Sequence, residues 1–188
     1  LHLLKYGQIT SFEAIQNFSI YLDQYIEAND RCLLISENRP EWLISDLSIM
    51  LSKGITVPAY TTYVERDYEF LIKDCKPSVI IVSDDLQFQK IKNIVKKYSF
   101  IKKIFSFEKI KDENIIYLVS IFNKIHNTEK NLKDIGLNRK DISCIIYTSG
   151  TQGNPKGVML SHGGILNNCE GSTKLLREII VTKPKFLT

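Results

Sequence analysis

The sequence predicts an α/β fold in which a mainly parallel β-sheet is flanked by helices. Short runs that are apolar at nearly every position alternate along the chain with longer stretches of helical periodicity. Fully apolar strands that alternate with helices are typical of parallel sheets covered on both faces. At 188 residues and 44% hydrophobic content, the chain can also bury a core as one domain or part of one.

The first half of the chain supplies an opening helix and then alternating strands and helices. Apolar residues at three- and four-residue steps predict a helix over Ser11–Ala28, with Ser11 as its candidate cap. Pro40 is suited to open a second helix, and Gly54 is suited to end it. The predicted elements after the first helix are a strand at 31–36, a helix at 40–51, a strand at 55–60 and a helix at about 65–75.

The second half repeats the alternation less regularly. Asp84 and Asp85 are candidate caps for a lysine-rich helix, whereas the signals weaken between residues 108 and 139. Because parallel sheets bind ligands beyond the carboxyl ends of their strands, the segment after each strand is a candidate for function. The predicted elements are strands at 78–83, 101–107, 142–147 and 158–162, and helices at 84–98, near 117–125 and from 163 onward.

Composition argues against several classes of function. The net charge of +4 arises from 25 basic and 21 acidic residues scattered along the chain, so no face is set aside for nucleic acid. The four cysteines, at 32, 75, 144 and 169, lack the spacing of a zinc or redox site and indicate a reducing compartment. No apolar run approaches the roughly 20 residues of a membrane span. We therefore expect a cytoplasmic protein, with room for peripheral membrane contact, and make no prediction of its oligomeric state.

The strand at 142–147 leads into a segment with the composition of a phosphate-binding loop. Between Thr148 and Gly157, ten positions hold three glycines, three hydroxyl residues, one proline and one lysine, with no carboxylate. Glycines let backbone N–H groups face phosphate oxygens, while hydroxyls and Lys156 add further donors. The alternatives are a plain surface turn, which needs fewer such residues, and the kinase-type phosphate loop. The latter requires a second glycine where Pro155 stands.

The stretch from Tyr147 to His162 resembles the signature of the adenylate-forming enzymes, which include acyl-CoA synthetases, luciferases and peptide-synthetase adenylation domains. The segments Ser36–Trp42, Gly54–Thr62 and Ser78–Asp84 resemble early segments of long-chain fatty acyl-CoA synthetases. The resemblance implies that residues 1–188 are part of the large N-terminal AMP-binding domain, incomplete at the C-terminus and with a start that can lie upstream of Leu1. The later motifs of the family do not occur in these residues, so a fragment without independent turnover is expected.

What the resemblance implies is ATP-dependent ligase chemistry in fatty acid metabolism. A fatty acid would be converted to acyl-AMP, and coenzyme A, as co-substrate, would then displace AMP. Thr148 would help to hold Mg²⁺, and the pyrophosphate side would be lined by Ser149, Gly150, Thr151, Gln152, Gly153 and Lys156. No catalytic residue is predicted within the chain. Gln152 replaces the usual Thr or Ser of the family, although its amide can still donate to phosphate.

Two alternatives to a long-chain ligase remain open at this point. One is a non-catalytic remnant that binds nucleotide or acts as an interaction fragment. The other is an adenylate-forming enzyme for a different carboxylic acid. His162, near the end of the last predicted strand, is interpreted as structural rather than as an active-site contact.

Overall fold

The structure is a computed structural model that describes residues 5–6, 9–123, 135–148 and 155–182. Its helices and strands confirm the predicted α/β class. The helices are α1 (Ser11–Leu22), α2 (Pro40–Leu51), α3 (Glu65–Cys75), α4 (Asp85–Val95), α5 (Val119–Phe122) and α6 (His162–Thr182). The strands are β1 (Lys5–Tyr6), β2 (Ile9–Thr10), β3 (Arg31–Ile35), β4 (Ile55–Ala59), β5 (Val79–Val82), β6 (Lys103–Ser106), β7 (Ile115–Tyr117), β8 (Ile142–Thr148) and β9 (Lys156–Ser161).

Seven of these strands form one mainly parallel sheet in the order β7-β6-β5-β3-β4-β8-β9. Every neighbouring pair is parallel except β8 and β9, which are antiparallel and close one edge. The strands β1 and β2 form a separate antiparallel pair ahead of α1. Because β3, β4 and β8 are parallel neighbours, their carboxyl ends lie along one side of the sheet, where α/β proteins bind ligands.

The side chains of the central strands alternate between two apolar layers, as pleated backbone requires. Cys32 and Leu34 of β3 pack with α1, α2 and α5, whereas Leu33 and Ile35 pack with α3 and α4. All four of these side chains are fully buried. Burial on both faces explains why these strands read as continuous apolar runs in the sequence.

Several predicted boundaries, at the first helix and in the weakly patterned segment, differ from those in the structure. The first helix ends at Leu22 rather than Ala28, and the chain then turns through Asn29, whose φ of 70° is a left-handed conformation that Asn tolerates. Its cap is Thr10 rather than Ser11, because the Glu13 N–H donates to the Thr10 hydroxyl at 3.2 Å. The short helix predicted near 117–125 is confirmed as α5, although it covers only Val119–Phe122, and the strand β7 directly before it was not predicted.

The last strand and helix also differ from the prediction. The strand begins at Lys156 rather than Val158, because residues 156–161 all pair with β8. His162 opens α6 instead of ending the strand. The β8–β9 pairing therefore reaches two residues closer to the glycine- and hydroxyl-rich segment than the apolar pattern indicated.

Asp84 is confirmed as the cap of α4, and its removal is expected to cost about 1 kcal/mol of unfolding free energy. The Gln87 N–H donates to the Asp84 carboxylate at 2.9 Å, and the Ser83 hydroxyl donates to its other oxygen at 3.0 Å. We expect Asp84→Ala to lower the unfolding free energy measured in urea by that amount. Asp84→Asn, which keeps an acceptor oxygen, is the matched control. Equal losses in the two variants would show that capping is not the cause.

The structure describes the state of the four cysteines, which the sequence predicts to be reduced. All four cysteines are free thiols, with Cys32 and Cys75 buried and Cys169 exposed. Burial raises the pKa of the Cys75 thiol to about 12, so it stays protonated and unreactive.

Within the part of the chain that the structure describes, no helix is long and apolar enough to cross a membrane.

Candidate functional site

The candidate site is the hairpin formed by β8 and β9 and the loop that joins them. Thr148, the last residue of β8, lies directly opposite Lys156, the first residue of β9. Directly opposed residues of an antiparallel pair have Cα atoms about 4.5 to 5.5 Å apart. The hairpin therefore brings together the first and last of the predicted site residues. The remaining ones, Ser149, Gly150, Thr151, Gln152 and Gly153, lie outside the described residues, and their roles stay predictions.

Thr148 and Lys156 are both exposed to solvent at the loop end of the hairpin. One offers a hydroxyl, which can donate to or coordinate with a charged group, and the other offers an ammonium with three donors. A triphosphate held by the intervening loop could contact both, because a phosphate group is comparable in size to the gap between two strands. The pair lies at the carboxyl end of β8, which is the ligand-binding side of the sheet.

Side chains next to the loop hold the hairpin against α3. The Tyr147 ring is 6% exposed, and its hydroxyl donates to the carboxylate of Asp74. The same ring packs edge-on against Phe70 at a centroid distance of 6.4 Å. Burial raises the pKa of the Tyr147 phenol, and the hydrogen bond to Asp74 raises it further, so this group stays a neutral donor. Sequence reasoning missed Asp74, since it lies 73 residues from Tyr147 and carries no local signal.

Gly157, on β9, lets the Tyr147 ring pack close to the backbone of the second strand of the hairpin. It pairs with Tyr147, and a Cβ placed on Gly157 would lie 3.3 Å from the Tyr147 ring and 2.8 Å from Ile145. The aromatic ring therefore lies across the backbone of β9 at the position where a side chain would otherwise stand. The glycine after Lys156 thus has a packing role. Its φ is not positive, so close packing and not the backbone freedom predicted from the sequence favours glycine here.

The donor chemistry of Thr148 is compatible with Mg²⁺, which prefers oxygen ligands and usually keeps water or phosphate oxygens in its shell. Among the residues that the structure describes, no group of three or more His, Cys, Asp or Glu side chains could hold a metal ion by itself. Thr148 fits as one ligand of such an ion.

His162 lies at the opposite end of β9 from this pair. Six residues of strand separate it from Lys156, which corresponds to about 20 Å. Its backbone N–H donates to the Asp141 carbonyl at 3.0 Å, and its ring lines an apolar cavity of about 280 Å³ together with Phe12, Ile15, Leu47, Met50, Leu51 and Leu137. This placement agrees with the structural interpretation of His162.

The sequence of this chain is similar to those of known proteins. The chain matches the family described as AMP-binding enzyme over residues 11–185. It is 31% identical over 161 residues to fatty acyl-CoA synthetase A of Dictyostelium discoideum, covering 78% of this chain and 23% of that protein. It is 36% identical over 139 residues to long-chain-fatty-acid–CoA ligase ACSBG2 of Rattus norvegicus, covering 70% and 21%. The chain thus spans less than a quarter of the length of these two relatives.

Solved structures support the same fold. ATP-bound MatB from Rhodopseudomonas palustris superposes with a TM-score of 0.69 at 21% identity, covering 84% of this chain and 30% of that one. A red-emitting luciferase from Phrixothrix hirtus superposes with a TM-score of 0.68 at 19% identity, covering 81% and 30%. At these identities the likeness establishes the fold and leaves the ligands to be argued separately.

Proposed function

Because this chain belongs to the AMP-binding enzyme family, we propose that it serves the ATP-dependent activation of a long-chain fatty acid, as part of a larger ligase. In the first step a carboxylate oxygen attacks the α-phosphorus of ATP, and the bond to the β-phosphate breaks to release pyrophosphate. In the second step the thiol of coenzyme A attacks the acyl carbonyl, loses its proton and displaces AMP. The products are acyl-CoA, AMP and pyrophosphate.

The observation that carries this proposal is the pairing of Thr148 with Lys156 at the mouth of the glycine- and hydroxyl-rich loop. The Lys156 ammonium would attract the β- and γ-phosphate oxygens, whose negative charge increases as pyrophosphate leaves. The Thr148 hydroxyl would orient the same phosphates from the facing strand. Bound Mg²⁺ would supply further charge neutralisation beside Thr148. These residues therefore bind and orient the leaving group, and the acyl-transfer step is left to the rest of the enzyme.

The choice of a long-chain fatty acid rests on the relatives. The Dictyostelium and rat proteins are named as a fatty acyl-CoA synthetase and a long-chain-fatty-acid–CoA ligase. The superposed MatB and luciferase structures, at 21% and 19% identity, support the fold and not the substrate. A cytoplasmic location is part of the proposal, and the four free thiols are compatible with it.

The test is the exchange of labelled pyrophosphate into ATP by the full native polypeptide that carries these residues. We expect exchange with palmitate and much weaker exchange with acetate, malonate or anthranilate. Exchange that prefers one of the smaller acids would support an adenylate-forming enzyme of different specificity. If no carboxylic acid supports exchange while the protein is folded, the non-catalytic alternative is favoured. Residues 1–188 alone, assayed in parallel, would show whether this segment has turnover of its own.

A further inference from the structure

We propose that Asp74 of α3 is a positioning residue for the phosphate loop, acting through the Tyr147 side chain. This inference rests on the proposed function, because the loop is assigned to ATP. Asp74 and Tyr147 touch each other directly, and neither belongs to the loop itself. Tyr147 is the residue immediately before Thr148, so any movement of its ring is passed to the start of the loop.

At the Thr148 end of β8, the backbone pairs with a neighbouring strand on one side only. Among the described residues, β8 pairs with β4 at a single position, Cys144 opposite Thr56, near the start of the strand. Two residues later β4 contains Pro58, which has no N–H to donate to a neighbouring strand. From Ile145 to Thr148 the recorded pairs of β8 are all with β9, which is itself the last strand of the sheet. β8 still runs alongside β4, and side-chain contacts add to the attachment of the hairpin end to the rest of the domain.

Tyr147 supplies that attachment. Its hydroxyl donates to Asp74 and its ring packs against Phe70, one helical turn earlier on α3. On its other side the ring lies against Gly157, within 3.3 Å of where a Cβ would be. The ring is thus held between α3 and β9. It belongs to the residue next to Thr148 on one arm and lies against Gly157, the residue next to Lys156, on the other. Both ends of the loop are located by one aromatic ring.

The exposure of Asp74 suits it to this role. Asp74 is solvent-exposed on α3, whereas the phenol that it accepts from is almost fully buried. The carboxylate therefore keeps much of its hydration while it satisfies a donor that would otherwise be buried without a partner. Successive residues of a strand face opposite sides, so Tyr147 points toward α3 while Thr148 points away from it. The anchor and the ligand-facing groups do not compete for the same space.

The variants that test this inference are Asp74→Ala, Asp74→Asn, Tyr147→Phe and the double variant Asp74→Ala/Tyr147→Phe, made in the full native polypeptide. In the pyrophosphate exchange assay we expect Asp74→Ala and Tyr147→Phe each to raise the KM for ATP about tenfold, the effect of losing one hydrogen bond to a charged group. The KM for the fatty acid should change less. The double variant should resemble either single one, because the two changes remove the same contact.

Asp74→Asn keeps an acceptor oxygen and should restore the KM for ATP to within about threefold of the wild type. Glu69→Ala is the matched control, because Glu69 is a partly exposed acid on the same helix and its ion-pair partner is Lys97, not a residue of the hairpin. Unchanged KM values for ATP in Asp74→Ala and Tyr147→Phe would overturn the proposal. Multiplicative effects in the double variant would also overturn it.

Hydrogen exchange separates this proposal from the proposed function. In the ligand-free protein, Asp74→Ala and Tyr147→Phe should accelerate amide exchange in residues 145–148 and 156–158, whereas Glu69→Ala should not. If the wild type catalyses no pyrophosphate exchange but the hairpin amides respond as expected, ligase function fails and the anchoring role stands. If the wild type is active and the amides do not respond, the anchoring role fails alone.

Discussion

Replacing Lys156 with alanine is expected to slow fatty-acid-dependent pyrophosphate exchange about 100-fold, the scale seen when one preorganised donor to a developing charge is removed. Lys156 lies opposite Thr148 at the mouth of the loop and is exposed to solvent, so its ammonium is available to a ligand. The loss should fall mainly on the rate, because charge on the phosphates increases as pyrophosphate leaves. The measurement is kcat and KM for ATP in the exchange assay on the full native polypeptide.

The controls for Lys156→Ala distinguish a ligand contact from a structural contact. Lys156→Arg keeps the positive charge and should recover part of the rate, although guanidinium and ammonium differ in geometry. Lys111→Ala removes an exposed lysine from the segment between β6 and β7 and should leave both constants unchanged. All three variants should melt within a few degrees of the wild type. Unfolding of Lys156→Ala would instead identify the lysine as a structural residue.

Replacing Phe18 with alanine is expected to cost about 3 to 5 kcal/mol of unfolding free energy, as is typical for a buried phenylalanine. Phe18 of α1 is fully buried, and its ring packs edge-on against Phe105 at 5.3 Å and against Phe122 at 5.9 Å. These partners belong to β6 and α5, so one ring joins the opening helix to the far part of the sheet. Its removal leaves a cavity between three elements that cannot easily close.

Urea denaturation followed by circular dichroism measures this loss. Leu86→Ala is the control, since Leu86 is 67% exposed on α4 and its truncation should change the unfolding free energy by no more than about 0.5 kcal/mol. Phe18→Leu, which keeps part of the apolar volume, should lie between the two. A loss for Phe18→Ala as small as that of Leu86→Ala would show that this layer is not packed as described.

The loop could be proposed as a phosphate site from the sequence because the residue types that such a site needs are adjacent in the chain. Glycines, hydroxyls and a lysine must be adjacent to surround a phosphate group, so composition within ten positions is enough to suggest the site. The facing positions of Thr148 and Lys156 follow from the hairpin and were not predicted from the sequence. Asp74 could not be found from the sequence, because its contact with Tyr147 depends on how α3 packs against β8.

The sequence by itself determined the α/β class, most of the helices and strands, the cap at Asp84 and the loop composition from which phosphate binding is proposed. These features depend on periodicity and residue type within a few positions of the chain. Only the tertiary structure decided the strand order, the antiparallel direction of β9, the existence of β7 and the contact between Asp74 and Tyr147. Each of these depends on hydrogen bonds or packing between residues that are distant in sequence, so no local pattern contains them.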